Sequence, residues 1–321
     1  MLMLLSACFV LDGKVDTPVD AAATEPLVFE VPAGSSARSI APALLEEGLI
    51  HDDMSWRWYL KSREAGGCLK AGKFELSAAM TYPELMEAMC GVPLADEVPL
   101  TIVEGWRIRD IDAALAEEGW IESGEYLAAA KDPGRFDLPF FVTGLRTLEG
   151  FLMPQTYNVP ADGFTAEELI QRQIDLFWET WGAEASLGER TLYEVVIVAS
   201  MLEREEPKPV NRPLVAGVIW RRLDGGWQLG IDATSRYTLE NWNDRSSFLR
   251  QLRDESDPYN TRLRKGLPPT PIGNPALPSL EAATAPESSE YWYYLHDAEG
   301  NLHPAVNAAE HERNRARYNV Y

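Results

Sequence analysis

The stretch LYEVVIVASMLEREE, which runs from Leu192 to Glu206, joins an apolar segment to four charged residues in a row. Successive side chains of a helix are about 100° apart, and the apolar residues of this stretch then share one face. Pro207 follows directly, and proline disfavours the helical conformation for the residue before it. We therefore predict a helix over 192–206 that packs into the core by its apolar face.

Glu203 lies on the apolar side of this predicted helix, although it belongs to the charged end. A carboxylate beside apolar neighbours is desolvated, which favours its protonated form. A general acid that protonates a glycosidic oxygen needs this property near neutral pH. The alternative is a partly exposed glutamate paired with Arg204 or Arg212, and the projection leaves both interpretations open. The other charged residues, 204–206, are predicted to form a solvated helix end.

The composition indicates a folded, acidic protein. The chain has 321 residues, of which 45% are hydrophobic, enough for a sizeable core in two domains or one large domain. The formal net charge is -21, and no basic patch offsets it. Since this charge repels phosphate backbones, nucleic acid is not predicted as a partner.

The sequence lacks the common motifs for cofactors, metals and activated nucleophiles. It contains no glycine-rich phosphate loop, no CxxC pair, no HExxH and no GxSxG. Its histidines are His51, His296, His303 and His311, and none has partners at a zinc-like spacing. We predict no cofactor and no metal, so any chemistry rests on carboxylates, tyrosines, asparagines and the backbone.

The N-terminus resembles an export signal. The apolar run MLMLLSACFVL is shorter than the roughly 20 residues that span a bilayer. Leu5–Cys8 matches a lipobox, in which Cys8 would be lipidated, but no positively charged segment precedes it. We predict a membrane-anchored protein in which residues 1–25 are a truncated signal or anchor remnant plus a linker. A chance apolar start is the alternative.

Residues 26–97 are predicted to form a small α+β module. Their strands and helices follow the order βααβ, and the stretch VPAGSSARSIA resembles LysM-like units, which bind glycan chains. Cys68 and Cys90 either form a disulfide or remain two buried thiols. The predicted elements are strands 27–31 and 72–76 and helices 37–47, 55–63 and 82–89, the last capped by Thr81.

Residues 98–321 are predicted to form a larger α+β catalytic domain. Thr165 and Glu168 have the spacing of a capping box at the start of one of its helices. The predicted elements are strands 99–103 and 291–295 and helices 108–118, 164–181, 192–206, 210–223 and 303–318. The predicted fold class is therefore α+β, a LysM-like βααβ module followed by this larger domain.

Several blocks, in order along the chain, resemble the YceG-like endolytic murein transglycosylases of bacteria. The blocks are Glu104-Gly105-Trp106, LEGFLMPQTY (148–157), VASMLERE through VAGVIWRRL to LGIDATSRY (229–237), DPYNTRLRKGLPPTPIGNP (257–275), and Gly300-Asn301-Leu302-His303 with Glu310-His311. The resemblance covers roughly residues 25 to 315 and implies a LysM-like module joined to an α+β catalytic domain. Gln155 departs from the family's pattern, which commonly has an acid there.

The resemblance implies one catalytic residue, Glu203, as the first glutamate of an ASxxExE helix end. In the family's reaction this glutamate protonates the oxygen between MurNAc and GlcNAc. The same carboxylate then takes the proton of the muramoyl C6 hydroxyl, which closes a 1,6-anhydro ring. Because the nucleophile belongs to the substrate, a second catalytic carboxylate is not required.

Further residues are candidates for substrate binding, each with a structural alternative. Asp232 is the strongest second carboxylate, or else a turn or cap residue after a strand. Tyr259, Asn260 and Thr261 would bond sugar hydroxyls, or else fix a loop. Glu149 would line the site, or else cap buried backbone. Tyr237, which ends the LGIDATSRY block, completes the set.

The function that the resemblance implies is cleavage of peptidoglycan glycan strands at the cell envelope, on the periplasmic face of the inner membrane. It would end the elongation of nascent strands beside peptidoglycan synthases. The competing interpretation is a non-catalytic glycan-binding scaffold for cell-wall assembly, for which the LysM-like module would suffice.

Overall fold

The computed structural model describes residues 11–139, 144–183 and 185–320. Cys8 and the predicted lipobox therefore lie outside the described residues. The chain divides into two compact units, and the division falls between Glu97 and Val98, except that Pro160–Asp162 belong to the first unit. Within that unit the Ala161 N–H donates to the Asp96 carbonyl at 2.7 Å. That residues 26–97 are a LysM-like module stays a prediction.

The first unit has the predicted βααβ order. Strand β1 pairs antiparallel with β2, with Phe29 opposite Phe74 on the buried face. Trp56 is fully buried in the core that these strands form with the helices. Its indole N–H donates to the Ala37 carbonyl at 2.7 Å. The elements are β1 (Leu27–Val31), α1 (Ala41–Glu46), α2 (Asp53–Ser62), β2 (Gly72–Leu76) and α3 (Tyr82–Cys90).

Two local predictions for this unit need correction. Helix α1 begins at Ala41 rather than at residue 37, because Ser36 and Ser39 bond each other's backbone and side chains in a turn. Cys68 and Cys90 form a disulfide, so the alternative of two buried thiols is wrong. The predicted cap Thr81 is confirmed, since it forms a capping box with Glu84.

The second unit consists mainly of helices with two small sheets. Strand β3 pairs with β4, and β5 pairs antiparallel with β6. The elements are β3 (Glu97–Thr101), α4 (Ile108–Glu117), α5 (Glu125–Ala130), β4 (Thr156–Pro160), α6 (Ala166–Phe177), α7 (Leu192–Glu205), α8 (Arg212–Asp224), α9 (Asp232–Arg236), α10 (Arg245–Gln251), α11 (Leu277–Thr284), β5 (Tyr293–His296), β6 (Leu302–Ala305) and α12 (Ala308–Tyr318). The α+β fold class is confirmed.

Helix α7 is the centre of this unit's core. It packs against α8, α9 and α11, and every side chain from Val195 to Leu202 is buried. The helix therefore buries its whole circumference there, not the single face that the periodicity predicted. Its start is fixed by Thr191, whose hydroxyl accepts from the Glu194 N–H at 3.2 Å while Glu194 accepts from the Thr191 N–H at 2.8 Å.

Two further helix predictions differ from the structure. The helix predicted over 164–181 is α-helical only to Phe177 and continues as a π-helix over Trp178–Gly182, although its predicted Thr165 cap is confirmed. The helix predicted over 303–318 begins at Ala308, where Asn307 caps it. Residues 302–305 form strand β6 instead, because they pair with β5 across the turn at 297–301.

Within the described residues, no helix has the length and apolar character to cross a membrane. Nor does that part of the chain hold a group of three or more histidine, cysteine or acidic side chains arranged to bind a metal ion.

Candidate functional site

Glu203 lies near the C-terminal end of α7, and its side chain is only 7% exposed. Its carboxylate accepts from both terminal nitrogens of Arg212, at 3.0 Å and 3.3 Å, and from the Ala276 N–H at 2.9 Å. The guanidinium and the backbone N–H together supply hydrogen bonds to both oxygens of this nearly buried carboxylate. The pairing with Arg212 that the sequence left open is present, but the side chain is nearly buried rather than partly exposed.

Arg212 is held as firmly as the carboxylate that it contacts. It is the first residue of α8, its side chain is 6% exposed, and its Nε donates to the Glu206 carbonyl at 3.0 Å. Arg212 thus joins the last turn of α7 to the start of α8. This contact fixes the orientation of the Glu203 carboxylate, since a guanidinium donates two parallel bonds to a carboxylate.

Gly105 lies against Glu203, and Gly273 lies against Gly105. Gly105 has φ +73°, and a Cβ there would lie 3.3 Å from the Glu203 Cγ. A Cβ on Gly273 would lie 2.4 Å from the Gly105 carbonyl oxygen, closer than real side chains come. The two segments pair through the backbone, because the Gly105 N–H donates to the Asn274 carbonyl and the Asn274 N–H donates to the Trp106 carbonyl.

Asn274 is the residue that ties these segments together, and the sequence interpretation did not select it. It is fully buried, and its Oδ1 accepts from the Gly150 and Leu152 N–H groups at 2.8 Å and 3.2 Å. Its Nδ2 donates to the Trp106 carbonyl at 3.0 Å. The GNP tripeptide within the 257–275 block was the available signal, since a buried amide beside a glycine is suited to bonding several backbone groups.

Glu149 is a buried carboxyl with a strongly altered pKa. It is 2% exposed, and burial raises its pKa from 4.5 to about 8. It accepts from the Ile108 N–H at 3.1 Å and from the Tyr237 hydroxyl at 3.0 Å, while Asn274 Nδ2 lies 3.4 Å from it. These contacts match the alternative in which Glu149 caps buried backbone, here the start of α4.

Tyr237 and Tyr259 form an aromatic pair next to Glu149. Their ring centres are 4.7 Å apart, and both rings are partly exposed. The Tyr259 hydroxyl lies 2.8 Å from the Thr270 hydroxyl. Burial raises the pKa of both tyrosines, so both are neutral hydrogen-bond donors at neutral pH. The structure therefore brings together Glu149, Tyr237 and Tyr259 from three separate blocks.

Asp232 interacts electrostatically with Glu205 of α7. It is the first residue of α9 rather than a residue that follows a strand, and it forms an ion pair with Arg262. Its charge acts on Glu205, whose pKa is raised by burial and by Asp232. Among the described residues, Asp232 forms no hydrogen bond or ion pair with Glu203.

Asn260 and Thr261 are buried, and their side chains form hydrogen bonds to nearby backbone groups. Asn260 Nδ2 donates to the carbonyls of Gln251, Leu252 and Asp254, and Thr261 Oγ1 accepts from the Ile231 N–H at 3.0 Å. These contacts favour the alternative in which the Tyr-Asn-Thr run fixes a loop. Of the three residues in this run, Tyr259 is the one whose side chain is partly exposed.

The prediction of a solvated end over residues 204–206 is wrong. The Arg204 guanidinium stacks 3.9 Å from the centre of the Trp242 ring, and its side chain is 21% exposed. Glu205 accepts from the Tyr294 hydroxyl at 3.3 Å. Glu206 is fully buried, and its carboxylate lies 2.9 Å from His296 Nε2. Tertiary neighbours cover each of these charged groups.

The sequence profile of the YceG-like family matches residues 29–317, which is most of the chain. The chain belongs to this family. A crystal structure of a yceG-like protein from Listeria monocytogenes has a TM-score of 0.58 and 27% identity to this YceG-like chain, over 90% of this chain and 99% of the other.

Curated relatives of this YceG-like chain are named endolytic murein transglycosylase. The protein of Bacillus subtilis strain 168 is 25% identical over 331 residues, which cover 98% of this chain and 91% of the relative. That of Streptococcus pneumoniae strain R6 is 27% identical over 344 residues, or 97% of this chain. This chain spans 61% of the pneumococcal protein's length.

The family blocks meet around Glu203 in this YceG-like fold. The 104–106 turn contributes Gly105, the 257–275 block contributes Gly273 and Asn274, and α8 contributes Arg212. The 148–157 block is joined to them through Asn274. Segments that are far apart in the sequence thus contact Glu203 or are joined by hydrogen bonds to the segments beside it.

Proposed function

We propose that this chain is an endolytic murein transglycosylase in which Glu203 is the catalytic acid and base. The observation that carries the proposal is the position of its carboxylate, 7% exposed, between the Arg212 guanidinium and the Ala276 N–H. The names of the curated relatives support the substrate, the glycan strand of peptidoglycan. We propose the bond between MurNAc and GlcNAc as the one cleaved.

The reaction needs both protonation states of Glu203. In the first half the protonated carboxyl gives its proton to the glycosidic oxygen while the bond from that oxygen to C1 breaks. In the second half the muramoyl C6 oxygen bonds to C1 and its proton returns to Glu203. The product carries a 1,6-anhydro ring, no water is consumed, and the enzyme ends in the form in which it began.

The ion pair with Arg212 prepares the second half of this reaction. A charged Glu203 is ready to accept the C6 proton, and Arg212 stabilises that charge at 3.0 Å. The first half requires a proton on Glu203, which weakens the ion pair.

Substrate contacts around this carboxylate are also proposed. The partly exposed rings of Tyr237 and Tyr259 offer apolar faces to a sugar, and Glu149 supports Tyr237 through the hydrogen bond at 3.0 Å. Asp232, exposed on α9, would contact the strand further from the cleaved bond. Asn260 and Thr261 would act through the loop that carries Tyr259.

The cellular role follows from the same proposal. An enzyme of this kind would work at the cell envelope, on the periplasmic face of the inner membrane, anchored by a spanning segment or by lipidated Cys8. There it would end nascent strands beside peptidoglycan synthases. A non-catalytic scaffold that only binds glycan is the competing function.

The test compares the purified chain with Glu203→Gln on intact peptidoglycan, with products identified by mass spectrometry. We expect anhydro-muropeptides from the wild type and a loss of at least about a hundredfold in the variant. Glu205→Gln is the matched control, because it makes the same change two residues along α7, where Glu205 faces Tyr294.

Four outcomes separate the candidate functions. Anhydro ends that depend on Glu203 support the transglycosylase. Reducing MurNAc ends would identify a hydrolase, which contradicts the proposed reaction. Equal release by wild type and Glu203→Gln would refute the role of Glu203, and glycan binding without any release would support the scaffold.

A further inference from the structure

A cavity of about 750 Å³ lies in the second unit at the end of α8 that is remote from Arg212. It is formed by three stretches: the loop before α7, the last turns of α8, and the chain that follows α11. The lining residues that matter here are Arg190, Trp220, Arg221, Asp224, Ser289 and Trp292.

Two arginines lie on tryptophan rings at this cavity. The Arg190 guanidinium carbon is 4.4 Å from the centre of the Trp220 ring, and that of Arg221 is 4.6 Å from the Trp292 ring. Arg190 also donates to both carboxylate oxygens of Asp224 at 2.7 Å. Stacking and ion pairing of this kind hold the guanidinium planes in fixed orientations.

Arg221 has donors that its surroundings do not use. Its Nη1 donates to the Ser289 carbonyl at 2.8 Å, but its buried Nε has no acceptor among the described residues, and the Ser289 hydroxyl is likewise without a partner there. The neighbouring Arg222 differs, because its Nε and Nη1 donate to the Trp292 and Leu229 carbonyls. Arg221 is partly exposed and lines the cavity, and its Nη2 also has no acceptor among the described residues, so this nitrogen is placed for an oxygen ligand.

The cavity also carries free negative charge. Glu189 and Glu287 line it, both are exposed, and neither takes part in an ion pair within the described part of the chain. The backbone of Glu287 is held against α8 at Gly217, where a Cβ would lie 2.2 Å from the Glu287 carbonyl oxygen. The site thus offers guanidinium groups for a carboxylate and carboxylates for an ammonium group, next to two aromatic rings.

We propose that this cavity binds a short peptide that carries both carboxylate and amine groups, namely the peptide stem of peptidoglycan. This inference rests on the proposed function. Arg190 directly precedes α7 and Glu203 is near its other end, so the cavity lies roughly 20 Å from the catalytic carboxylate at 1.5 Å per residue. The bound stem therefore belongs to a sugar away from the one that is cleaved.

The test measures binding to the full chain carrying Glu203→Gln, which does not consume the ligand. The probes for calorimetry are a disaccharide with its tetrapeptide stem, the same disaccharide without the peptide, and the free tetrapeptide. We expect the stem to tighten binding of the disaccharide. Adding Arg221→Gln should weaken stem binding about tenfold, and Arg221→Lys should weaken it less, because it retains charge but not the planar fork.

Arg313→Gln is the matched control, since it removes the same charge from an exposed position on α12. Equal affinity for the disaccharide with and without its stem would overturn the inference. So would unchanged stem affinity in Arg221→Gln, provided thermal unfolding shows the variant to be folded. Glu287→Lys, on an exposed side chain, gives a second variant, and we expect it to weaken binding of the stem's ammonium group.

The two proposals fail in different ways. Release of anhydro-muropeptides by the wild-type chain without stem-dependent binding would overturn the peptide site alone. Absence of release by the wild-type chain would overturn the proposed function, whatever the calorimetry shows.

Discussion

The Arg212 guanidinium contacts both carboxylate oxygens of Glu203, at 3.0 Å and 3.3 Å, and both side chains are less than one-tenth exposed. Removing one member of such a pair leaves the other charge buried without compensation. The pair is therefore important for stability as well as for the charge on Glu203.

Arg212→Ala should destabilise the second unit, and Arg212→Lys should affect catalysis more than folding. The alanine variant leaves Glu203 uncompensated, which costs about 3–5 kcal/mol in denaturant unfolding. Lysine keeps the charge but loses the two parallel bonds that orient the Glu203 carboxylate, so kcat should fall more than the unfolding free energy does. An unchanged kcat in a folded Arg212→Lys protein would contradict a positioning role for Arg212.

Glu149 should make stability fall as the pH rises. Its pKa is about 8 in the fold and 4.5 as an ordinary glutamate, so between these values the unfolded chain releases a proton that the folded chain retains. The free energy of unfolding then decreases from about pH 4.5 to about pH 8, by several kcal/mol in order of magnitude, and is level above that range. Glu149→Gln should remove this slope in unfolding curves measured across the range.

Glu290→Gln, at an exposed position, is the control for that experiment. It should leave the slope as in the wild type. A slope that persists in Glu149→Gln would assign the pH dependence to other groups.

Gly105→Ala should reduce activity beyond its effect on stability. At φ +73° an alanine is strained by about 1–3 kcal/mol, and its Cβ would lie 3.3 Å from the Glu203 Cγ. Gly119→Ala, at φ +80° with nothing within 4 Å, imposes the same kind of strain without the contact. We expect similar losses in unfolding free energy but a larger drop in kcat for Gly105→Ala. Equal kcat in the two variants would show that Gly105 serves only the turn.

The Cys68–Cys90 disulfide should stabilise the first unit. It closes a loop with a sequence separation of 22, for which the chain-entropy relation gives about 3 kcal/mol. Reduction, or replacement of both cysteines by serine, should lower the unfolding free energy of that unit by this order. The measurement is chemical unfolding with and without reductant, and an unchanged midpoint would contradict the prediction.

Local sequence signals correctly predicted the helix caps, strands and helix that are specified by residues close together in the chain. The Thr165 and Thr81 caps, the strands at 27–31 and 72–76, and the helix that carries Glu203 needed only neighbouring residues. The helix predicted over 303–318 failed at its start, because residues 302–305 pair with β5. That pairing depends on a partner strand, which a helical periodicity within one segment does not reveal.

By itself, the sequence determined that Glu203 stands at the end of an apolar helix and that its blocks are those of the YceG-like family. Only the tertiary structure decided that Arg212 rather than Arg204 pairs with it, and that buried Asn274 joins the surrounding segments. A helical projection gives the direction of a side chain about its own axis. The partner of a buried charge is set by which distant backbone and side-chain groups the fold brings within hydrogen-bond distance, because only those replace the water that the charge has lost.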